Sequence, residues 1–231
     1  MPYNWVGMPN PTGPMWLAYG LMVEEFAREL ANTVNEFTRH IRDLDAWAEV
    51  VMGLSDSEKL EAAISFINPV ATVAVTLPAV IKSRFAFAAA HLCHQANQTQ
   101  DSGWVDDFPL DEDIWPGTPD TYGKPWPAWR KLKPRLDALN SKAFQQATCD
   151  FRNTYNHRFS PRFVIGQTQM VTRRQISSGH VSYAIGEQPP LDLKHITGLL
   201  AAERDRVYVA FRAFRALVTE QTSAIAAKPS V

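Results

Sequence analysis

Cysteine is nearly absent from this chain. Cys93 and Cys149 are the only two in 231 residues, far apart and without the spacing of a metal site. That leaves no disulfide framework, and two buried thiols in a reducing compartment are the expectation. An uninterrupted apolar span is missing too. The most hydrophobic run, PVATVAVTLPAVIKSRFAFAAAHL, is cut by Pro78, Lys82 and Arg84, so no membrane-crossing helix is expected from it. The first residues, MPYNWVGMPNPTGPMW, carry neither a basic nor an apolar signal region. A cytoplasmic protein without a membrane partner is therefore expected. There is no glycine-rich phosphate loop, no G-x-S-x-G element and no internal repeat.

What is present is ordinary globular material: 45% hydrophobic and 20% charged residues, enough to bury a core. The net charge of −1 conceals a division. Between Lys124 and Arg174 lie eleven bases against Asp137 and Asp150, a net +9, so the remainder carries −10. Just before that segment stand Asp101, Asp106, Asp107, Asp111, Glu112, Asp113 and Asp120. A polyanion partner for the basic half would explain the split. So would an acidic loop folded back onto the basic segment, and the sequence leaves both open.

The periodicity predicts a mostly α fold: a helical bundle with long N-terminal helices and one β-hairpin inserted before the last helix. Phe26, Leu30, Val34, Phe37, Ile41, Leu44, Ala48 and Val51 form one helical stripe, which Gly53 stops. Ser55 to Glu58 reads as a capping box opening a short helix that Asn68-Pro69 ends. Residues 70 to 98 read as a buried helix that Pro78 kinks or starts. Residues 100 to 128, with five prolines and Trp104, Trp115 and Trp126, read as a long irregular insertion. Helix returns from Trp129 in one or two pieces down to His157. A hairpin over 162–187 turns at Ser178-Gly179, which sets Ile176 opposite Val181 and Thr172 opposite Ile185. A C-terminal helix over 191–227 closes a single domain of 231 residues.

The stretch CDFRNTYNHRFSP, residues 149 to 161, concentrates side chains that bind phosphate and move protons. On a helical wheel with Arg152 at zero, Asn156 falls near 40°, Asn153 near 100° and His157 near 140°. Phe151 and Tyr155 lie on the other side, continuing an apolar line from Leu136, Ala143 and Ala147. A fixed guanidinium, two amides and an imidazole suit a phosphate site. The plainer reading is a helix C-terminus where His157 and Arg158 meet the negative end of the dipole.

R-N-x-x-x-H at the end of a late helix in an all-α bundle resembles the signature of the HEPN superfamily (higher eukaryotes and prokaryotes nucleotide-binding). The continuation HRFSP and a hairpin ahead of the final helix resemble one branch of it in particular. The match covers about a dozen residues. Its spacing alone is not specific, because Arg84 with His91 and Arg174 with His180 fit loosely too. Only Arg152 is followed by Asn, sits in the basic segment and precedes a proline stop.

The resemblance implies a metal-independent, cofactor-free endoribonuclease that cleaves RNA by 2′-hydroxyl attack to a 2′,3′-cyclic phosphate. It further implies a toxin or antiviral-defence role and a homodimer whose active cleft lies at the two-fold interface. His157 would be the acid/base, Arg152 the phosphate and transition-state contact, and Asn153 an orienting group. Asn156, Arg158 and Arg162 would be further substrate contacts. A regulatory or antitoxin protein is implied as a further partner, although Phe159 occupies the place where related chains carry a modifiable tyrosine. The alternative is a non-catalytic HEPN-like module that binds RNA, a nucleotide or a protein.

Other clusters have plainer readings. His91 and His94 share a helix face but lack a completing ligand pair, so core or surface packing is expected. Asp111 and Asp113 read as part of a solvated loop rather than a Mg²⁺ site. The loop tryptophans could stack bases, but pinning the loop to its domain is the preferred expectation.

Overall fold

The computed structural model describes residues 1–3, 5–6, 16–168, 170–185 and 189–227, with the side chain of Glu112 set aside. Residues 7–15 of the stretch read for a signal, and 186–187 of the expected hairpin, lie outside these. The chain is mostly helical with one two-stranded antiparallel hairpin ahead of its final helix. Its elements are α1 (Leu17–Val50), α2 (Asp56–Ala62), α3 (Asn68–Ala96), α4 (Pro119–Tyr122), α5 (Pro127–Asp137), α6 (Lys142–Ala147), α7 (Phe151–His157), β1 (Val171–Ser177), β2 (His180–Ile185) and α8 (Leu193–Ala226). Two compact units result: Met1–Glu36, Pro78–Asn140 and Glu203–Val231 form the first, and Phe37–Leu77 and Ser141–Ala202 the second.

In the first unit α1 buries Leu30 and Val34, α3 buries Ile81, Phe85 and Leu92, and α8 buries Val207, Phe211 and Phe214. Phe85 meets Phe211 and Phe214 edge-on at 6.3 and 5.5 Å, an arrangement that aligns ring edges with ring faces. Several buried polar groups are matched. The Tyr19 hydroxyl donates to Gln221 at 2.9 Å, and the Gln221 amide reaches the Cys93 sulfur at 3.2 Å. Burial pushes the Cys93 thiol well up, so this sulfur is a packing group rather than a nucleophile. Glu203, fully buried, accepts from the Asn140 backbone N–H at 3.0 Å and pairs with Arg206.

In the second unit Phe37, Ile41, Leu44 and Ala48 continue the stripe of α1. Gly53 ends a 3₁₀ turn at the foot of that helix, and the Ser55–Glu58 capping box opens α2 as expected. The next expectation fails. Asn68-Pro69 does not end the helix, because α2 passes through a π turn, Ala63–Ile67, directly into α3. Proline has no N–H to return to the preceding turn. The π turn shifts the pairing ahead of it, and the Asn68 N–H bonds Ala63 five residues back. The resulting continuous stretch, Asp56–Thr99, is apolar enough to cross a membrane by length and composition, a test that core helices also pass. Pro78 lies inside α3 rather than at its start.

The hairpin turns at Ser178-Gly179, with Gly179 at φ +80° as such a turn requires. Ser177 faces His180, but beyond it the register differs from expectation. Gln175, not Ile176, faces Val181, and Val171, not Thr172, faces Ile185. Ile176 is the extra residue of a bulge, which shifts every later pair by one.

Helix between Trp129 and His157 comes in three pieces, not one or two. Asn140, Cys149 and Asp150 all adopt left-handed backbone, which interrupts the helical course before α6 and before α7. The apolar line drawn from Leu136 through Ala143 and Ala147 to Tyr155 therefore does not exist on one helix. Phe144 and Thr148 are the buried residues of α6 and its C-cap, while Ala143 and Tyr155 are exposed.

Candidate functional site

The polar stretch occupies α7, a seven-residue helix in the second unit. Two consecutive left-handed residues, Cys149 (φ +54°) and Asp150 (φ +51°), launch it. The Asp150 carbonyl accepts the Thr154 N–H at 3.0 Å, and the Thr154 hydroxyl bonds the Phe151 carbonyl at 3.0 Å. Phe151 is 1% exposed and Thr154 is buried, so these two side chains hold the helix down. So short a helix has too few internal bonds to persist alone, and this anchoring makes it.

Everything else on α7 faces outward. Arg152, Asn153, Asn156 and His157 are exposed, and so are Arg158 and Phe159 just past the end. The helical spacing keeps Arg152, Asn153, Asn156 and His157 within one wedge of about 140°. Asn153 donates from its side-chain amide to the Asp150 carboxylate at 2.9 Å. That bond ties Asn153 to the start of the helix. Among the described residues Arg152, Arg158 and Arg162 have no carboxylate partner.

Arg162 stands beyond the proline stop, on a segment fixed by Leu191. The Leu191 N–H bonds the Arg162 carbonyl at 2.7 Å and the Val164 N–H bonds the Leu191 carbonyl at 3.1 Å. Val164 holds φ +66°, and the Ile165 N–H closes onto the Phe163 carbonyl at 2.7 Å across it. A β-branched residue in that region is strained by about 1–3 kcal/mol. Nearby Gly166 (φ +108°) has no side chain to crowd the Arg162 stem, since a Cβ there would come within 3.2 Å of it. Three of the four described non-glycine residues with positive φ thus flank α7 and Arg162. Strain concentrates where a side chain must be aimed.

Arg162 also lines a groove of about 410 Å³ together with Tyr155, Asn68, Thr72 and Ser160. The sequence reading missed two of these. Tyr155 was expected to anchor the helix, but it is 54% exposed and lies nearly parallel to Phe151, with ring centres 5.9 Å apart. Asn68 was expected to stop a helix, but its buried Oδ1 lacks a hydrogen-bond partner. An Asn-Pro pair inside an otherwise continuous helical pattern was the available signal.

The acidic insertion behaves differently. In the first unit His94 lies 3.0 Å from Asp106 and 3.7 Å from Asp107, and His91 lies 3.3 Å from Asp111. Phe108 packs against both imidazoles with ring centres 4.5 and 4.9 Å away. Burial pulls the pKa of His91 down against the opposing pull of Asp111. Trp104 donates to the His94 carbonyl at 3.1 Å and Trp126 to Asn97 at 2.8 Å, so these rings pin the loop; Trp115 stays exposed. Of the eleven bases between Lys124 and Arg174, Lys133 alone has a carboxylate partner among the described residues, bonding Asp120 and approaching Asp137 at 3.9 Å. The looser Arg-His pairs are accounted for as well. Arg84 donates to the Thr33 hydroxyl, and Arg174 and His180 stand on opposite strands of the hairpin. No group of three His, Cys, Asp or Glu that could hold a metal forms among the described residues.

Comparison with protein-family models, with curated proteins and with solved structures gives no match to this chain.

Proposed function

We propose that this chain is a HEPN-like, metal-independent endoribonuclease whose site is the exposed face of α7. One observation carries the reading: a guanidinium, two amides and an imidazole project together from a helix whose remaining side chains are buried or aromatic, and its cation is left without a counter-charge. An unpaired guanidinium is ready for phosphate.

In this reading Arg152 holds the phosphoryl oxygens and stabilises the charge that develops on them. His157 moves a proton, either from the attacking 2′-hydroxyl or to the departing 5′ oxygen. The phosphorus gains a bond to the 2′ oxygen and loses its bond to the 5′ oxygen, leaving a 2′,3′-cyclic phosphate. One imidazole cannot easily serve both ends, so a second copy of the chain supplies the other His157. Asn153, whose side-chain amide bonds Asp150, is the orienting group. Asn156, Arg158 and Arg162 contact the strand. Two free thiols, Cys93 and Cys149, suit a cytoplasmic setting, and a toxin or defence role follows from the same resemblance.

The test is RNA cleavage in EDTA with wild type beside His157→Ala and Arg152→Ala, with circular dichroism on all three. Cleavage with cyclic-phosphate ends, lost in both folded variants, is the expected result. Wild-type cleavage by both variants would overturn the assignment. RNA binding without cleavage in the wild type would favour a recognition module instead.

A further inference from the structure

We infer that the groove between Tyr155, Asn68 and Arg162 is a subsite for one unpaired nucleobase of the RNA strand. From the nuclease reading of α7 the inference takes only the class of ligand. Three features converge in the second unit. The first is an aromatic stack left open at one end. Phe163 packs on Phe151 at 5.0 Å, Phe151 stacks on Tyr155 at an interplanar angle of 13°, and Tyr155 lines the groove half exposed. A base would extend that stack by one ring, and stacking accepts any base because each has a π face.

The second is Asn68. Its Oδ1 is buried without a hydrogen-bond partner, and an acceptor in that state is destabilising until a donor arrives. Bases splayed from a single strand present N–H groups on their Watson–Crick edges. Asn68 is in place because the π turn carries the helix through Pro69 rather than ending there.

The third is Arg162, a guanidinium at the same groove without a carboxylate partner among the described residues. It suits the phosphate attached to that nucleotide. The volume, about 410 Å³, falls within the range of about 300–1,000 Å³ usual for small-ligand sites. Around α7, Tyr155 and Arg152 are about 60° apart, and Arg152 lies between Tyr155 and His157. A strand whose base stacks on Tyr155 thus leads its next phosphate toward Arg152.

The experiment is equilibrium binding of AMP, CMP, GMP and UMP to the full chain, beside ribose 5-phosphate, which lacks a base. Wild type is compared with Tyr155→Ala, Tyr155→Phe and Asn68→Leu, and each variant's melting temperature is recorded. The nucleotides are expected to bind at least about tenfold more tightly than ribose 5-phosphate, an advantage lost in Tyr155→Ala and kept in Tyr155→Phe. Asn68→Leu weakens all four. Equal binding of nucleotides and ribose 5-phosphate, or full binding by Tyr155→Ala, overturns the subsite. Binding that needs Tyr155 in a protein that leaves RNA intact keeps the subsite and overturns the nuclease. Conversely, His157-dependent cleavage with wild-type kcat and KM in Tyr155→Ala keeps the nuclease and overturns the subsite.

Discussion

The insertion 100–126 and the segment from α7 to Arg162 each carry charge mostly of one sign, and the protein treats them in opposite ways. Carboxylates of the insertion face His91 and His94, while Trp104 and Trp126 anchor it by N–H bonds to groups on or just beyond α3. The cations on and after α7 face outward without carboxylate partners. Carboxylates that bond groups of their own unit serve the fold, whereas cations held outward without a carboxylate partner are available to a ligand. A charge count along the sequence does not separate the two cases.

The contrast can be tested most sharply at the two histidines. His157→Ala should lower RNA cleavage by about 10²–10⁴-fold with stability unchanged to within about 0.5 kcal/mol. His94→Ala should do the reverse, because it empties a site packed by Trp104, Phe108 and Tyr122. A loss of about 2 kcal/mol in denaturant unfolding, with cleavage retained, is expected there. Similar profiles for the two variants would erase the distinction.

Buried structure supplies the next largest effect. Glu203→Ala should cost about 2 kcal/mol, because the Asn140 N–H and Arg206 lose a charged acceptor. Salt sensitivity comes next. Removing Arg152, Arg158 or Arg162 should each flatten the plot of log K against log salt for single-stranded RNA by about 0.7, while Asp106→Asn leaves the slope alone.

The insertion should also respond to pH. Burial holds the pKa of His91 below its usual 6.5, so folding favours the neutral ring. Stability is complete above that value, falls as pH drops through it, and levels off below the lowered pKa. Hydrogen exchange in 100–126 between pH 7.5 and 5 would read this loss. Asp111→Asn should enlarge it, since the carboxylate opposes the shift. The smallest change is a gain. Cys149→Gly relieves a left-handed residue worth about 1–2 kcal/mol against a glycine penalty of about 0.5–1, a net rise of about 0.5 kcal/mol in unfolding free energy.

The long elements were legible because their signals repeat. The stripe of α1, the Ser55–Glu58 box and the Ser178-Gly179 turn each rest on spacing that local physics enforces. The misreadings occur where one residue alters the count. Pro69 is absorbed by a π turn, Ile176 by a bulge, and Cys149 with Asp150 breaks a helix without glycine or proline to announce it. The site was partly legible. Arg152, Asn153, Asn156 and His157 do share a wedge, but the bond from Asn153 to Asp150 and the exposure of Tyr155 depend on where α7 begins.

The tie between Arg162 and Leu191 bears on synthesis. A ribosome makes α7 about thirty-five residues before it makes the chain that holds its neighbouring segment in place. Until Leu191 emerges, the Arg162 and Val164 backbone lacks those two bonds, and a strained γ-turn has little to keep it. The groove therefore matures late, when the start of the last helix arrives. A truncated or stalled chain would carry the polar side chains of α7 without the floor and wall that give them a shape.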